Sequence, residues 1–197
     1  MSRSLKRNPW SSVSSNQIAS LVDIPQRKEF ARASEQDLQH FQSIVGQYNV
    51  KTSELDEYNV DWMKWFKGGS TCVLTPENET QISQILKHCF HRNLAVVPQA
   101  GNTGLVGGSV PVFDEIIVST RKLNKQYHLD SAAGILECDA GGIRLIRYGS
   151  LQANVLALHV AIPDEEGTIL KLGSSLRKDN ADLHLKNLLI GSEGQLE

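Results

Sequence analysis

PQAGNTGLVGGS, residues Pro98 to Ser109, is the stretch on which the reading of this chain turns. Gly101, Gly104, Gly107 and Gly108 fall within it, so its backbone can adopt positive φ and let another group come close to its amides. Successive N–H groups in such a turn form a concave nest that attracts anions, and Asn102, Thr103 and Ser109 add short polar side chains suited to phosphate oxygens. A pyrophosphate is the natural guest. The spacing matches neither the G-x-G-x-x-G dinucleotide fingerprint nor a Walker loop, since no Gly-Lys-Ser/Thr follows. Glycines also punctuate loops that bind nothing, and a plain connection between strands is the competing reading.

Outward from the loop, the flanks have the rhythm of alternating strands and helices. Cys72 to Leu74 reads as a short strand, Pro76 breaks it, and Glu77 to His91 reads as a helix with Ile82, Ile85, Leu86 and Cys89 facing inward. Leu94 to Val97 is an apolar run expected to be a strand buried on both faces, and the glycine loop begins where it ends. Ligands of such βαβ units gather beyond the carboxyl ends of the strands, which favours the phosphate cradle. Glu115 to Thr120 gives another strand, and His88 and His91 read as surface residues of the crossover helix rather than zinc ligands, having no third ligand in view.

The 197 residues suit one large domain or two small ones, and a hydrophobic share of 40% is sufficient for a core. A net charge of −2 provides no basic field for nucleic acid, and no apolar run is long enough to cross a bilayer. Cys72, Cys89 and Cys138 are odd in number and sit among apolar neighbours, so they read as buried thiols rather than a disulfide framework.

Residues 1–22 carry Arg3, Lys6 and Arg7, many serines and no acid before Asp23, the composition of an organelle transit peptide or of a disordered polar tail. A helix is expected after Ser34, where Ser34 and Asp37 resemble a capping box, with Leu38, Phe41, Ile44 and Val45 on one face and Gly46 as its stop. The acidic stretch to Asp61 and the following Trp62, Met63, Trp65 and Phe66 read as an extended connection whose aromatics anchor onto the next domain. A base-stacking platform is the alternative, opposed by the acidic flank. Beyond Thr120, short strands are expected near Tyr127 to Leu129 and Ile135 to Cys138. A hairpin is expected over Val155 to Ile162 and Thr168 to Leu172, and a short amphipathic segment over Asp182 to Ile190.

Four ordered stretches then agree. VVPQAGNTGLVGGSVPVFDEIIVS (Val96 to Ser119), RYGSL (Arg147 to Leu151), SSLRKDN (Ser174 to Asn180) and LLIGSEG (Leu188 to Gly194) resemble the FAD-linked oxidoreductases of the vanillyl-alcohol-oxidase, or PCMH, type, and among them the D-2-hydroxy-acid dehydrogenases. The resemblance covers roughly residues 35–194. It implies an α+β fold, a PCMH-type FAD-binding domain of two α/β lobes, with FAD as cofactor. Flavin-dependent oxidation of D-2-hydroxyglutarate to 2-oxoglutarate is implied, D-lactate and glycolate being the alternative substrates. It further implies electron-transferring flavoprotein as redox partner and a place in the mitochondrial matrix.

Transferred residue by residue, the resemblance assigns Pro98, Gln99, Gly101, Asn102, Thr103, Gly104, Gly108 and Ser109 to the FAD pyrophosphate. Ala100 departs from the usual glycine and would cost about 1 kcal/mol if that residue needed positive φ. Relatives also have a helix and a second glycine- and asparagine-rich loop before the Arg-Tyr-Gly-Ser segment, whereas here Cys138 to Gly142 runs directly into Ile143 to Ser150. The expected organisation is a leader over 1–33, a helix and connector over 34–69, and an incomplete FAD-binding domain over 70–197, with lobe one at 70–125 and a remnant of lobe two at 126–197. The family's catalytic histidines and metal ligands find no counterpart, so no catalytic or metal residue is assigned. Weak flavin binding, poor solubility and absent turnover are expected of the chain by itself, which would then act as a noncatalytic fragment or splice product.

Overall fold

The computed structural model describes residues 26–125, 127–139, 154–174 and 185–192. The leader before residue 26, the Ile143–Leu151 stretch and nearly all of the Ser174–Asn180 motif lie outside them.

Helix α1, Glu35–Val45, starts where the sequence says it must. Ser34 stays extended and its hydroxyl accepts from the Asp37 amide, while the Asp37 carboxylate reaches back to the Ser34 amide at 2.9 Å. Gly46, at φ 87°, ends it. A 3₁₀ turn over Gln47–Asn49 leads into β1, Val50–Lys51, and a short helix α2 follows at Asp56–Asn59. Strand β2, Val73–Leu74, is joined by α3, Glu79–Arg92, to β3, Val96–Gln99, and the glycine loop carries the chain from there to β4, Ile116–Ser119. Asn78 caps α3 at its start, and Asn93 closes it in the left-handed conformation.

The sheet order is β1-β2-β4-β3, with β2, β4 and β3 parallel and β1 antiparallel. β4 therefore slots between the two strands of the crossover unit, and this overturns the expectation that the second strand is buried on both faces. It is β4 that is buried at every residue, whereas Val96, Val97 and Pro98 on the sheet's outer strand are only half-buried. Pro98 is tolerated because an outer strand need not donate from every residue. Phe41, Val45, Cys72, Leu74, Ile85, Cys89, Leu94, Ile116 and Val118 form the core between α1, α3 and the sheet. Leu55, Tyr58, Val73 and Ile117 form a second cluster. This is the α+β arrangement expected.

Two antiparallel ribbons follow: β5, Tyr127–Asp130, with β6, Ile135–Cys138, and β7, Ala157–Ala161, with β8, Ile169–Gly173. The last element is α4, Lys186–Leu189. The tip of the β7–β8 ribbon leans on α3. Lys87 pairs with Glu166 at 3.0 Å, His91 Nε2 meets the Glu165 carbonyl at 2.9 Å, and the Ser83 hydroxyl donates to the Gly167 carbonyl.

Several expectations are corrected here. Residues 47–69 are not merely an extended connection, since they supply β1 and α2. Trp62 and Trp65 stay exposed, and it is Tyr58, missed in the sequence, that is buried. Cys72 and Cys89 are buried thiols, pushed up to about 12 by desolvation, but Cys138 is exposed. His88 is not a free surface residue. Its Nε2 lies 2.8 Å from Asp37 Oδ1, and its ring stacks on His40 with centroids 4.2 Å apart.

Asp37 is thus more than a helix cap. It is 1% exposed and receives Ser34, His88 and Arg92, the last through Nε at 3.0 Å, so one carboxylate ties α1 to α3. Burial alone would raise its pKa, yet the hydrogen bonds from Arg92, Ser34 and His88 outweigh it and hold the group below the ordinary 3.8. Its stabilising share is complete above that ordinary value and drains away as the pH falls below it. Asp37→Ala should cost about 3 kcal/mol in urea unfolding at neutral pH, the scale for opening a buried paired charge. The gap between variant and wild type should close below about pH 4.

Candidate functional site

The glycine loop leaves the sheet at the carboxyl end of β3, beside the carboxyl end of β4, with Gln99 in register with Ser119. The loop has no regular structure, so its shape depends on side chains. The buried Gln99 amide donates to the Tyr58 carbonyl at 2.9 Å and to the Ser109 carbonyl at 2.8 Å, closing the loop on itself and onto α2. Asn102 sits at φ 52° and donates to the Val60 carbonyl at 2.7 Å. The Ser109 hydroxyl donates to Asn102 Oδ1 at 2.8 Å. The turn after α2 thereby holds both ends of the loop.

Of the eight residues assigned from sequence, the structure brings all into one continuous segment but divides their work. Pro98 and Gln99 belong to β3. Gln99, Asn102 and Ser109 spend side-chain hydrogen bonds on the loop's form. Gly101, Thr103, Gly104 and Gly108 lie on its exposed outer course. Among the described residues, no amide N–H from Gly101 through Ser109 donates to a protein acceptor. That is an unusual run of unused donors, because backbone N–H groups are seldom left unmatched unless water or a ligand takes them. A Cβ on Gly104 would meet nothing within 4 Å. Gly107, by contrast, has φ 73°, and a Cβ there would come within 2.6 Å of the Phe66 ring. Ala100 has an ordinary negative-φ backbone, so the alanine costs the loop nothing.

Behind the loop, Gln99 Oε1 and Ser119 Oγ are buried without a hydrogen-bond partner. An acceptor and a hydroxyl left unsatisfied at two neighbouring strand ends mark the place where the sheet is least complete. On the same edge, the 3₁₀ turn Thr120–Lys122 presents Arg121, which pairs with Glu57 at 3.1 Å and lies over the Tyr58 ring. Sequence reasoning missed Gln99's stitching role, Tyr58 and Arg121, because each depends on contacts across about twenty to sixty residues of chain. Among the described residues no group of three or more His, Cys, Asp or Glu could hold a metal ion.

These residues fit a diphosphate: unused amides on an exposed turn, held rigid from behind, with open space at Gly104. A family model described as FAD binding domain matches residues 70–143. The fold resembles that of an alkyldihydroxyacetonephosphate synthase, with a TM-score of 0.65 at 14% identity over 85% of this chain and 39% of that one. The fold is that of an FAD-binding domain of the PCMH type, and over residues 70–143 the chain matches the FAD-binding domain family. Within that class its sequence relatives include the mitochondrial D-2-hydroxyglutarate dehydrogenase of Rattus norvegicus, 41% identical over 87% of this chain and 39% of the relative. A putative mitochondrial D-lactate dehydrogenase of Schizosaccharomyces pombe is 38% identical over 85% of this chain and 40% of that protein. The chain thus spans about two fifths of the length of these relatives. The rat match runs over 210 residues although only 87% of the 197 take part, so the relative has residues in that span with no counterpart here.

Gly107→Ala should therefore be costly where Gly104→Ala is not. The first places a side chain in a left-handed backbone against Phe66 and should lose about 2 kcal/mol in thermal or urea unfolding. The second should stay within about 0.5 kcal/mol of wild type.

Proposed function

We propose that the Pro98–Ser109 loop holds the diphosphate of FAD, with the amides of Gly101, Thr103, Gly104 and Gly108 as donors and Gln99, Asn102 and Ser109 as the side chains that keep those donors aimed. The observation that carries the reading is the run of unbonded N–H groups in a loop tied down at both ends. Preset donors bind an anion without first having to be ordered, so the cost of arranging them is met in folding rather than in binding.

FAD, when bound, accepts the hydride from the carbon that carries the substrate hydroxyl. The chain's own residues keep the diphosphate at the strand ends. Pro98 fixes the backbone entering the loop, and Gln99 closes the loop base against Ser109 and Tyr58. The reaction we assign is oxidation of a D-2-hydroxy acid, D-2-hydroxyglutarate to 2-oxoglutarate, for which the names of the rat relative and the others like it speak. D-lactate is the second substrate, named for the fission-yeast relative. The relatives are named mitochondrial, and the reading extends to the matrix, with electron-transferring flavoprotein as acceptor.

Gly104→Asp tests the cradle cleanly. There is room for the side chain and no left-handed backbone to strain, so the fold should melt as wild type does. A carboxylate about 4 Å from a phosphate costs about 1 kcal/mol even in water, so FAD affinity followed by flavin fluorescence should fall about fivefold or more. Equal affinity of the two proteins would remove the loop from the site. A dye-reduction assay of the purified chain with D-2-hydroxyglutarate tests the expectation that it lacks turnover by itself, and activity above the buffer control would overturn that expectation.

A further inference from the structure

We propose that Arg121 is a second, charged element of this anion site, and that Glu57 occupies its guanidinium until the ligand's phosphate takes it over. The proposal rests on the diphosphate reading of the glycine loop and adds to it the cation and its competitor.

The amides of the loop are dipoles without net charge, whereas a diphosphate brings full negative charges into reach of the protein. A site of this kind gains from one cation placed beside the nest. Most neighbouring cations on this side of the molecule have other occupations. Lys122 is bonded to Asn49, Lys125 to Glu77, and Lys51 to the Tyr58 hydroxyl at 3.1 Å. Lys67 is mostly exposed and only 3.8 Å from an equally exposed Asp56.

Arg121 differs in position and in support. It comes two residues after Ser119, the register partner of the Gln99 that opens the loop, so β4 delivers it to the sheet edge from which the loop departs. Its guanidinium carbon lies 4.7 Å from the centre of the Tyr58 ring, and the Tyr58 carbonyl is the acceptor of Gln99. Its NH1 pairs with Glu57 Oε2 at 3.1 Å, and Glu57 lends its carbonyl to the Asn102 amide at 3.4 Å. One short helix thus touches both the loop and the arginine. The pair is open to solvent, with Arg121 39% and Glu57 57% exposed, so exchanging one anion for another requires no burial or unfolding. An exposed pair holds its partners weakly. Arginine's five donors can pass from a carboxylate to a phosphate with the planar group still stacked on the ring. Glu57 then acts as an internal placeholder: it keeps the guanidinium oriented, and it sets a threshold that weakly charged ligands do not cross.

Inorganic pyrophosphate, FAD and ADP are titrated calorimetrically into the wild-type chain and into Arg121→Gln, Glu57→Gln and Lys67→Gln. Arg121→Gln should weaken pyrophosphate about tenfold, the scale of a hydrogen bond to a charged group. Glu57→Gln should tighten it about threefold, the scale of releasing an exposed ion pair. Lys67→Gln, which removes the same charge from a side chain paired with the exposed Asp56 rather than stacked on Tyr58, should change it less than twofold. A gain on removing Glu57 cannot come from damage to the fold, so that arm stands even if Arg121→Gln loosens the packing on Tyr58. The proposal is overturned if Glu57→Gln binds no tighter than wild type, or if the Arg121 and Lys67 variants lose affinity equally. Wild type that takes up pyrophosphate in this pattern but not FAD or ADP would sink the flavin reading and leave the arginine site standing. Wild type that takes up none of the three sinks both.

Discussion

The ten residues from Ala100 to Ser109 have no regular structure and have to be held in shape by something other than their own backbone ladder. In this chain two primary amides do that. Gln99 and Asn102 each point a nitrogen at carbonyls of the Tyr58–Val60 turn, and Gln99 reaches the loop's far end at Ser109 as well. The consequence runs in both directions. Because side chains fix the loop, the amides of Gly101 to Ser109 are left without a protein acceptor among the described residues. The turn is fixed in its position because Tyr58 is buried against Val73 and Ile117 of the sheet. Core packing, turn, loop and outward donors form one sequence of dependencies, and disturbance of Tyr58 would reach the donors without touching the loop.

The same logic explains what the sequence made readable. Ser34, Asp37 and Gly46 act within a few residues of one another, so the start and stop of α1 follow from local chemistry. The crossover helix and its strands were also evident, because apolar periodicity is a local property. What escaped was set by partners distant in the chain. β4 enters the sheet between β2 and β3, and nothing in Leu94 to Val97 tells that strand it will be outermost. Asp37 reads as a cap in sequence, yet it also binds residues on α3, more than fifty positions away. The aromatic cluster at Trp62 to Phe66 drew attention through composition, while the aromatic that matters for packing, Tyr58, had acidic neighbours and no apolar rhythm.

The candidate site was readable as a place and much less so as a division of labour. Glycine density and its position after a strand located it. Asn102 and Ser109 read in sequence as side chains suited to phosphate oxygens, and in the structure they also serve the loop's internal needs, bonded to each other and Asn102 to Val60. Positive φ likewise proved more selective than glycine content. Within Pro98–Ser109 only Asn102 and Gly107 take it, so Gly101 and Gly104 serve by leaving space rather than by bending the chain.

The β5–β6 ribbon poses a physical question of its own. Tyr127, Leu129 and Leu136 are more than half exposed on it, and a two-stranded ribbon has little stability without a surface to lie on. Its second strand ends at Cys138, just ahead of the stretch where the resemblance to the family implies a missing helix and second glycine-rich loop. The alignment with the rat relative independently requires residues there or elsewhere in the matched span that this chain does not have. The four-stranded sheet has α1 and α3 packed against its core and β4 in its interior, all within residues 35–119. The glycine loop belongs to that part, and its shape depends on Tyr58, Gln99 and Asn102 rather than on the ribbon.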